Sequence, residues 1–269
     1  MMRFRRELGG AAAGAALAAL ALGQAAADDF ATDWSRSAKS EARLIAGGPD
    51  LAAVQIRLAP NAITYWRDPG DAGVPPTFDF SGSANVAGVE PVFPAPTRIT
   101  ESDGSQAFGW SGGVTIPLRI RPADPAKAVT LRAHVNYAVC EKLCLPAEAK
   151  LSLTLPAKPS PEAGLVEAAL AAAPRTVEAK ALGEIAAAGA DAWRFCAPHE
   201  AGPPRDLFVE PPAGWWVTSA PAQDDRGRDC FALSLRQKPD GTAPPVDLRI
   251  TLTGGKGPAE ASVTAPALR

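Results

Sequence analysis

The stretch Val129-Thr-Leu-Arg-Ala-His-Val-Asn-Tyr-Ala-Val-Cys140-Glu-Lys-Leu-Cys144-Leu-Pro146 decides how this chain is read. From Val129 to Val135 apolar and polar residues alternate, the period of a half-buried β-strand. The same alternation returns at Leu151-Ser-Leu-Thr-Leu155. Two cysteines with three residues between them stand in the middle. In an extended strand, residues four apart are about 13 Å from each other, whereas a disulfide needs Cα atoms about 4.4–6.8 Å apart. A bond between Cys140 and Cys144 therefore requires a bend at Glu141-Lys142-Leu143, where the strand from Val129 to Val139 ends.

Working outward, Val54-Gln-Ile-Arg-Leu58 and Val114 to Ile120 show the same period of two. Segments rich in Pro, Gly and Asp separate the strands: Asp68-Pro-Gly-Asp-Ala-Gly73, Pro94-Ala-Pro96, Asp103-Gly104 and Pro122 to Pro125. This predicts an antiparallel β-sandwich ending near residue 157. Pro156 to Pro161 reads as a linker. Glu162 to Ala173 carries Leu165, Val166, Ala169 and Leu170 at helical spacing and is stopped by Pro174, so a short helix is expected to join two domains. Strand patterns resume at Trp193 to Cys196, Leu207 to Val209, Cys230 to Leu235 and Val246 to Leu252. The fold class expected is all-β: a sandwich over residues 28–157, a linker with a short helix over 158–175, and a second, smaller sandwich over 176–269. Trp215-Trp216 is expected in the core of the second.

The first residues read as an export signal. Arg3, Arg5 and Arg6 precede an Ala-rich apolar run from Leu8 to Leu22, and Ala25-Ala26-Ala27 offers a small-residue cleavage site. A spanning helix would want about 20 strongly apolar residues, which this run lacks. Cleavage after residue 27 would remove three arginines and one glutamate and take the formal charge from −2 to −4. A soluble periplasmic protein is expected. Its mild acidity argues against nucleic acid as a partner.

The cysteines number four, an even count suited to disulfides in an oxidising compartment. Of three possible pairings, Cys140–Cys144 with Cys196–Cys230 keeps each pair within one predicted domain. In the chain-entropy account, a loop of five residues stabilises by about 2 kcal/mol and one of 35 by about 4 kcal/mol. Cys196 and Cys230 are thus the better staple. Cys140 and Cys144, displayed on a turn, suit a reducible pair. Lys142 would favour a thiolate there and Glu141 would oppose it. The residues alone leave open a redox pair, a structural clip of the hairpin, a pair of reduced, buried thiols that an oxidising compartment disfavours, or a metal site with His134 as third ligand. The last is poorly supplied with ligands.

Tyr137-Ala-Val-Cys140-Glu-Lys-Leu-Cys144-Leu-Pro146, followed by the strand from Lys150 to Leu155, resembles the cysteine signature of the periplasmic N-terminal domain of the DsbD family of thiol–disulfide reductases. The Cys-x3-Cys spacing is closer to the ScsB-like branch. Tyr65-Trp-Arg-Asp-Pro-Gly-Asp-Ala-Gly-Val-Pro-Pro76, Phe108-Gly-Trp110 and Ile116-Pro-Leu118 resemble that branch too. The resemblance implies an immunoglobulin-like redox domain, here without the membrane-embedded part. It implies that Cys144 forms mixed disulfides with partners and that Cys140 resolves them. It further implies thioredoxin-like oxidoreductases or isomerases as partners, a separate membrane thiol reductase as electron source, and no cofactor. Tyr65, Tyr137, Phe108 and Trp110 are candidates to flank or shield the thiols. Cys196 and Cys230 are assigned a structural disulfide and no metal is assigned.

The rival reading is a non-catalytic binding or adaptor protein with two structural disulfides, with copper handling as its variant. Soft or imidazole ligands for copper are few: Cys140, Cys144, His134, His199, and two methionines that would leave with the signal. No Gly-x-Ser-x-Gly run supports a hydrolase.

Overall fold

The computed structural model describes residues 30–71, 73–101, 104–223 and 227–268. The expected export signal lies outside them.

The first part of the chain forms an immunoglobulin-like β-sandwich. Its strands are β1 (Ser35–Ser37), β2 (Ser40–Ala46), β3 (Leu51–Leu58), β4 (Ile63–Gly70), β5 (Thr77–Asp79), β6 (Val86–Pro91), β7 (Thr97–Thr100), β8 (Gln106–Ser111), β9 (Gly113–Pro122), β10 (Thr130–Cys140) and β11 (Cys144–Thr154). One sheet runs β1-β2-β3-β9-β6. The other runs β11-β10-β4-β8-β7, with β5 added alongside β10. The alternation read from the sequence is the alternation of burial. On β10, Leu131, Ala133, Val135, Tyr137 and Val139 enter the core between the sheets, where they meet Leu44, Val54, Ile56 and Leu118. Ala138 and Cys140 therefore lie on the outer face of the same strand.

The helix α1 (Ala163–Ala171) is not a free spacer. Its Val166 is fully buried against Ala31, Ile45 and Ala53 of the first sandwich. Glu162, at its start, pairs with Arg43 at 3.3 Å. The Ala95 amide donates to the Ala172 carbonyl at 2.8 Å.

The chain continues through β12 (Arg175–Thr176), α2 (Ala179–Leu182), β13 (Glu184–Ala187), β14 (Ala192–Pro198), β15 (Asp206–Glu210), β16 (Trp216–Pro221), β17 (Arg228–Gln237), β18 (Val246–Thr253) and β19 (Ala259–Ala265). Two four-stranded sheets, β12-β19-β18-β15 and β13-β14-β17-β16, make the second sandwich. Trp193, Phe195, Leu207, Leu233, Leu248 and Ile250 form its core. Trp215 is half-buried against that core. Trp216, expected inside, is instead 47% exposed. It starts β16 at a register shift, and neighbouring residues of a strand point to opposite faces.

Aromatic and ionic contacts join the two sandwiches. Phe208 of β15 packs edge-on against Trp66 of β4 and Phe108 of β8, with ring centroids 6.0 and 4.9 Å away. Arg98 of β7 reaches both oxygens of Asp206 at 2.9 and 3.0 Å and donates to the Leu207 carbonyl at 2.7 Å. Arg67 of β4 holds Glu210 through two nitrogens at 2.9 and 2.7 Å and Glu260 at 2.6 Å. Paired guanidinium–carboxylate geometry of this kind gives direction as well as attraction.

Candidate functional site, a hairpin disulfide with unequal sulfurs

β10 and β11 pair in continuous register from Thr130 and Thr154 to Cys140 and Cys144. The bend falls at Glu141-Lys142-Leu143, where strand geometry requires it. The two cysteines face each other across the end of the ladder, with Cα atoms 4.0 Å apart, and form a disulfide. Cys196 and Cys230 are likewise opposite each other, on β14 and β17, and are bonded with Cα atoms 4.1 Å apart.

The pairs differ in access. Cys196 is 6% exposed and Cys230 2%. In the hairpin, Cys140 is 2% exposed while Cys144 is exposed. A partner molecule thus meets one sulfur, that of Cys144. Cys140 is covered because its neighbours Ile63, Tyr65, Ala107 and Ala138 close over the outer face of the sheet.

Tyr65 links the two sulfurs. Its hydroxyl donates to the Cys140 Sγ at 2.8 Å and lies 3.5 Å from the Cys144 Sγ. One glycine makes room for the ring and a second for the backbone that carries it. A Cβ on Gly73, whose φ is +120°, would come within 2.3 Å of the ring, so Gly73 packs directly against it. A Cβ on Gly109, directly opposite Tyr65 on β8, would come within 2.0 Å of the Thr64 carbonyl oxygen. Burial, then the charge of Glu101 and its hydrogen bond, push the Tyr65 phenol up to about 12. It therefore stays protonated at neutral pH, able to donate to a thiolate. Hydrogen bonds to charged groups contribute about 1.5–3 kcal/mol, which is about one to two pKa units. Tyr65→Phe should raise the Cys140 thiol pKa by about that amount. Ultraviolet titration of the thiolate in a reduced Cys144→Ser chain measures it, and an unchanged pKa would show the phenol to be mere packing.

The remaining aromatic candidates are elsewhere. Tyr137 points into the main core, its hydroxyl 2.9 Å from the Ser40 Oγ, on the strand face opposite Cys140. Phe108 and Trp110 alternate with Ala107 and Gly109 on β8. They turn away from the sulfurs to a cluster with Trp66 and Phe208. The expectation that these three shield the thiols is corrected by strand parity.

Charges around the bend are also resolved. Glu141 pairs with Lys39, from the tight connection between β1 and β2. The hydrogen bond and charge of Lys39 hold the Glu141 carboxyl below its ordinary range. Glu141 is thus already matched by Lys39. Lys39 and Glu101 escaped the sequence reading because no local pattern connects them to residues so distant in the chain. His134 pairs with Glu148 at 3.1 Å. Among the described residues no three His, Cys, Asp or Glu side chains cluster as a metal site.

A pair of sulfurs in bonding distance, one buried and one exposed, has the arrangement that thiol–disulfide exchange requires. A family model described as "Thiol:disulfide interchange protein DsbD, N-terminal" matches residues 34–156. Among solved structures, the N-terminal periplasmic domain of ScsB from Proteus mirabilis is similar in fold. The TM-score is 0.70 at 19% identity, over 89% of this chain and 99% of that one. A marsupial T cell receptor aligns over 87% of this chain and 100% of its own, but with 9% identity and a TM-score of 0.19 that carries no weight. No curated protein matches the chain. The family match contains the whole β10–β11 hairpin and its disulfide, so this part of the chain is similar to the DsbD N-terminal family of thiol:disulfide interchange proteins.

Proposed function

We propose that this protein exchanges electrons with other proteins through Cys140 and Cys144. The observation that carries the reading is the unequal burial of the two sulfurs, with the Tyr65 hydroxyl donating to the buried one. In the reduced protein, the Cys144 thiolate attacks a partner disulfide. A Cys144–partner bond forms and the partner's other sulfur leaves as a thiolate. Cys140, its thiolate stabilised by Tyr65, then attacks the Cys144 Sγ. The mixed disulfide breaks, the partner leaves as a dithiol, and Cys140–Cys144 is re-formed. Two electrons pass to the partner, and the reverse sequence reduces the pair again. Side chains and sulfur suffice, with no small-molecule cofactor.

The match of residues 34–156 to the DsbD N-terminal family model supports thioredoxin-like oxidoreductases or isomerases as partners, in a periplasmic setting, with a membrane thiol reductase as the source of electrons. Among the described residues no helix is long and apolar enough to cross a membrane. The buried Cys196–Cys230 pair is assigned to stability.

The test is a redox titration of the full chain against a thioredoxin-like dithiol, with the two disulfides followed separately by alkylation and peptide mapping. Cys140–Cys144 should equilibrate with that dithiol at a potential above about −300 mV, while Cys196–Cys230 stays oxidised. A Cys140–Cys144 pair that resists reduction below about −300 mV would make both disulfides structural and leave the binding reading in its place.

A further inference from the structure

A groove of about 550 Å3 opens beside Cys144, between the chain that leads into β5 and the outer end of the β10–β11 hairpin. Val74 and Pro75 form one wall. Ala138, Leu145 and Pro146 belong to the other, and Cys144 itself lines it. The large hydrophobic side chains that stand exposed among the described residues are Val74 (59%), Leu143 (71%), Leu165 and Trp216. Two of the four flank the one accessible sulfur of the hairpin. Exposed apolar side chains gathered at one place mark a site of contact more than scattered ones do.

Covalent geometry says what must enter. A mixed disulfide on Cys144 holds the partner's cysteine Cα about 4.4–6.8 Å from the Cys144 Cα. The backbone on one side of the partner's cysteine is then within the groove or at its lip. An extended chain advances about 3.3 Å per residue, so the residue next to the cysteine falls between the walls. Resting on the exchange function proposed above, we infer that this groove is a subsite for the residue flanking the partner's reactive cysteine, and that it takes an apolar side chain in an extended segment. Partners would thus be selected by the side chain beside their cysteine as well as by sulfur chemistry.

The experiment uses the full chain carrying Cys140→Ser, so that Cys144 alone attacks and the mixed disulfide is retained. Two uncharged peptides serve as probes, each with one cysteine held as a mixed disulfide with 5-thio-2-nitrobenzoate. In one the cysteine is flanked by leucines, in the other by asparagines. Attack by the Cys144 thiolate forms the peptide–Cys144 bond and releases the coloured thiolate, which gives the rate. The leucine peptide should react about tenfold faster, from partial burial of one side chain. Val74→Asp should bring the ratio of the two rates close to one. Leu165→Asp, the same kind of change on the distant helix α1, should leave the ratio as it was. Equal rates for both peptides in the chain that retains Val74, or an unchanged ratio in Val74→Asp, would overturn the subsite and leave the exchange function standing. Failure of both peptides, and of the bare aromatic disulfide of the same reagent, would overturn the exchange function with it.

Discussion

Cys144→Ser should abolish disulfide exchange with a protein partner, whereas Cys140→Ser should leave the first step intact and stop at the mixed disulfide. The expected asymmetry follows from exposure. Cys140, 2% exposed beneath Tyr65, cannot be reached by another protein's sulfur without opening the outer face of the sheet. Cys144 stands at the start of β11 and is exposed. With Cys144 removed, the remaining thiol is inaccessible and turnover should fall at least a hundredfold, to the background of spontaneous exchange. With Cys140 removed, the partner remains covalently attached because no second sulfur is near enough to displace it. Incubation of each variant with an oxidised thioredoxin-like protein, followed by non-reducing electrophoresis and mass mapping, reads both outcomes. Equal trapping by the two variants would contradict the assignment of roles and point to a hairpin that opens before reaction.

Arg67→Ala should cost about 3 kcal/mol of stability, the lower end of the range for removing one partner of a buried ionic network. Arg67 is 18% exposed and holds two carboxylates of the second sandwich, Glu210 at 17% and Glu260 at 8%. Burial works against its charge, but the hydrogen bonds and attraction of Glu210 and Glu260 more than offset this and raise its pKa. Glu260 is likewise disfavoured by burial. Hydrogen bonds from Arg249 and Arg67 reverse that and hold its carboxyl below the ordinary range. Arg249 keeps hold of Glu260 in the variant, which is why the lower end of the range is expected. A carboxyl with a depressed pKa stabilises above its unfolded value and loses that contribution as pH falls through the folded one. The difference between wild type and Arg67→Ala should therefore shrink on acidification. Urea unfolding followed by tryptophan fluorescence at neutral and acidic pH measures both effects. A loss under 1 kcal/mol would show that Phe208 and Arg98 hold the sandwiches together unaided.

Arg67 is also two residues from Tyr65 on β4, so the interface bears on the site through the strand they share. How much of this was legible beforehand differs from strand to strand. β11, and β10 as far as Tyr137, showed alternation because one face is wet and the other dry. β4 and β8 did not. Ile63 to Trp66 and Ala107 to Trp110 are buried without a break, with the sulfur cluster on one face and the Trp66–Phe208 cluster on the other. A strand covered on both sides has no polar period to read. These are the strands that place Tyr65 and turn Phe108 and Trp110 away from the thiols. The helix shows the same limit. Its spacing was plain, but the burial of Val166 against Ile45 and Ala53 depends on contacts across more than a hundred residues.

The sequence by itself determined the all-β class, the two sandwiches and the bend at Glu141 to Leu143. Each follows from local periodicity or from the reach of a short chain segment, which neighbours in sequence carry between them. Only the tertiary structure decided that Cys140 is buried and Cys144 exposed, that Tyr65 and not Phe108 or Trp110 meets the sulfurs, and that Lys39 neutralises Glu141. The physical reason is that accessibility and hydrogen bonding belong to the set of groups packed around an atom. Around these sulfurs that set is drawn from distant strands: Tyr65 on β4 is 75 residues from Cys140.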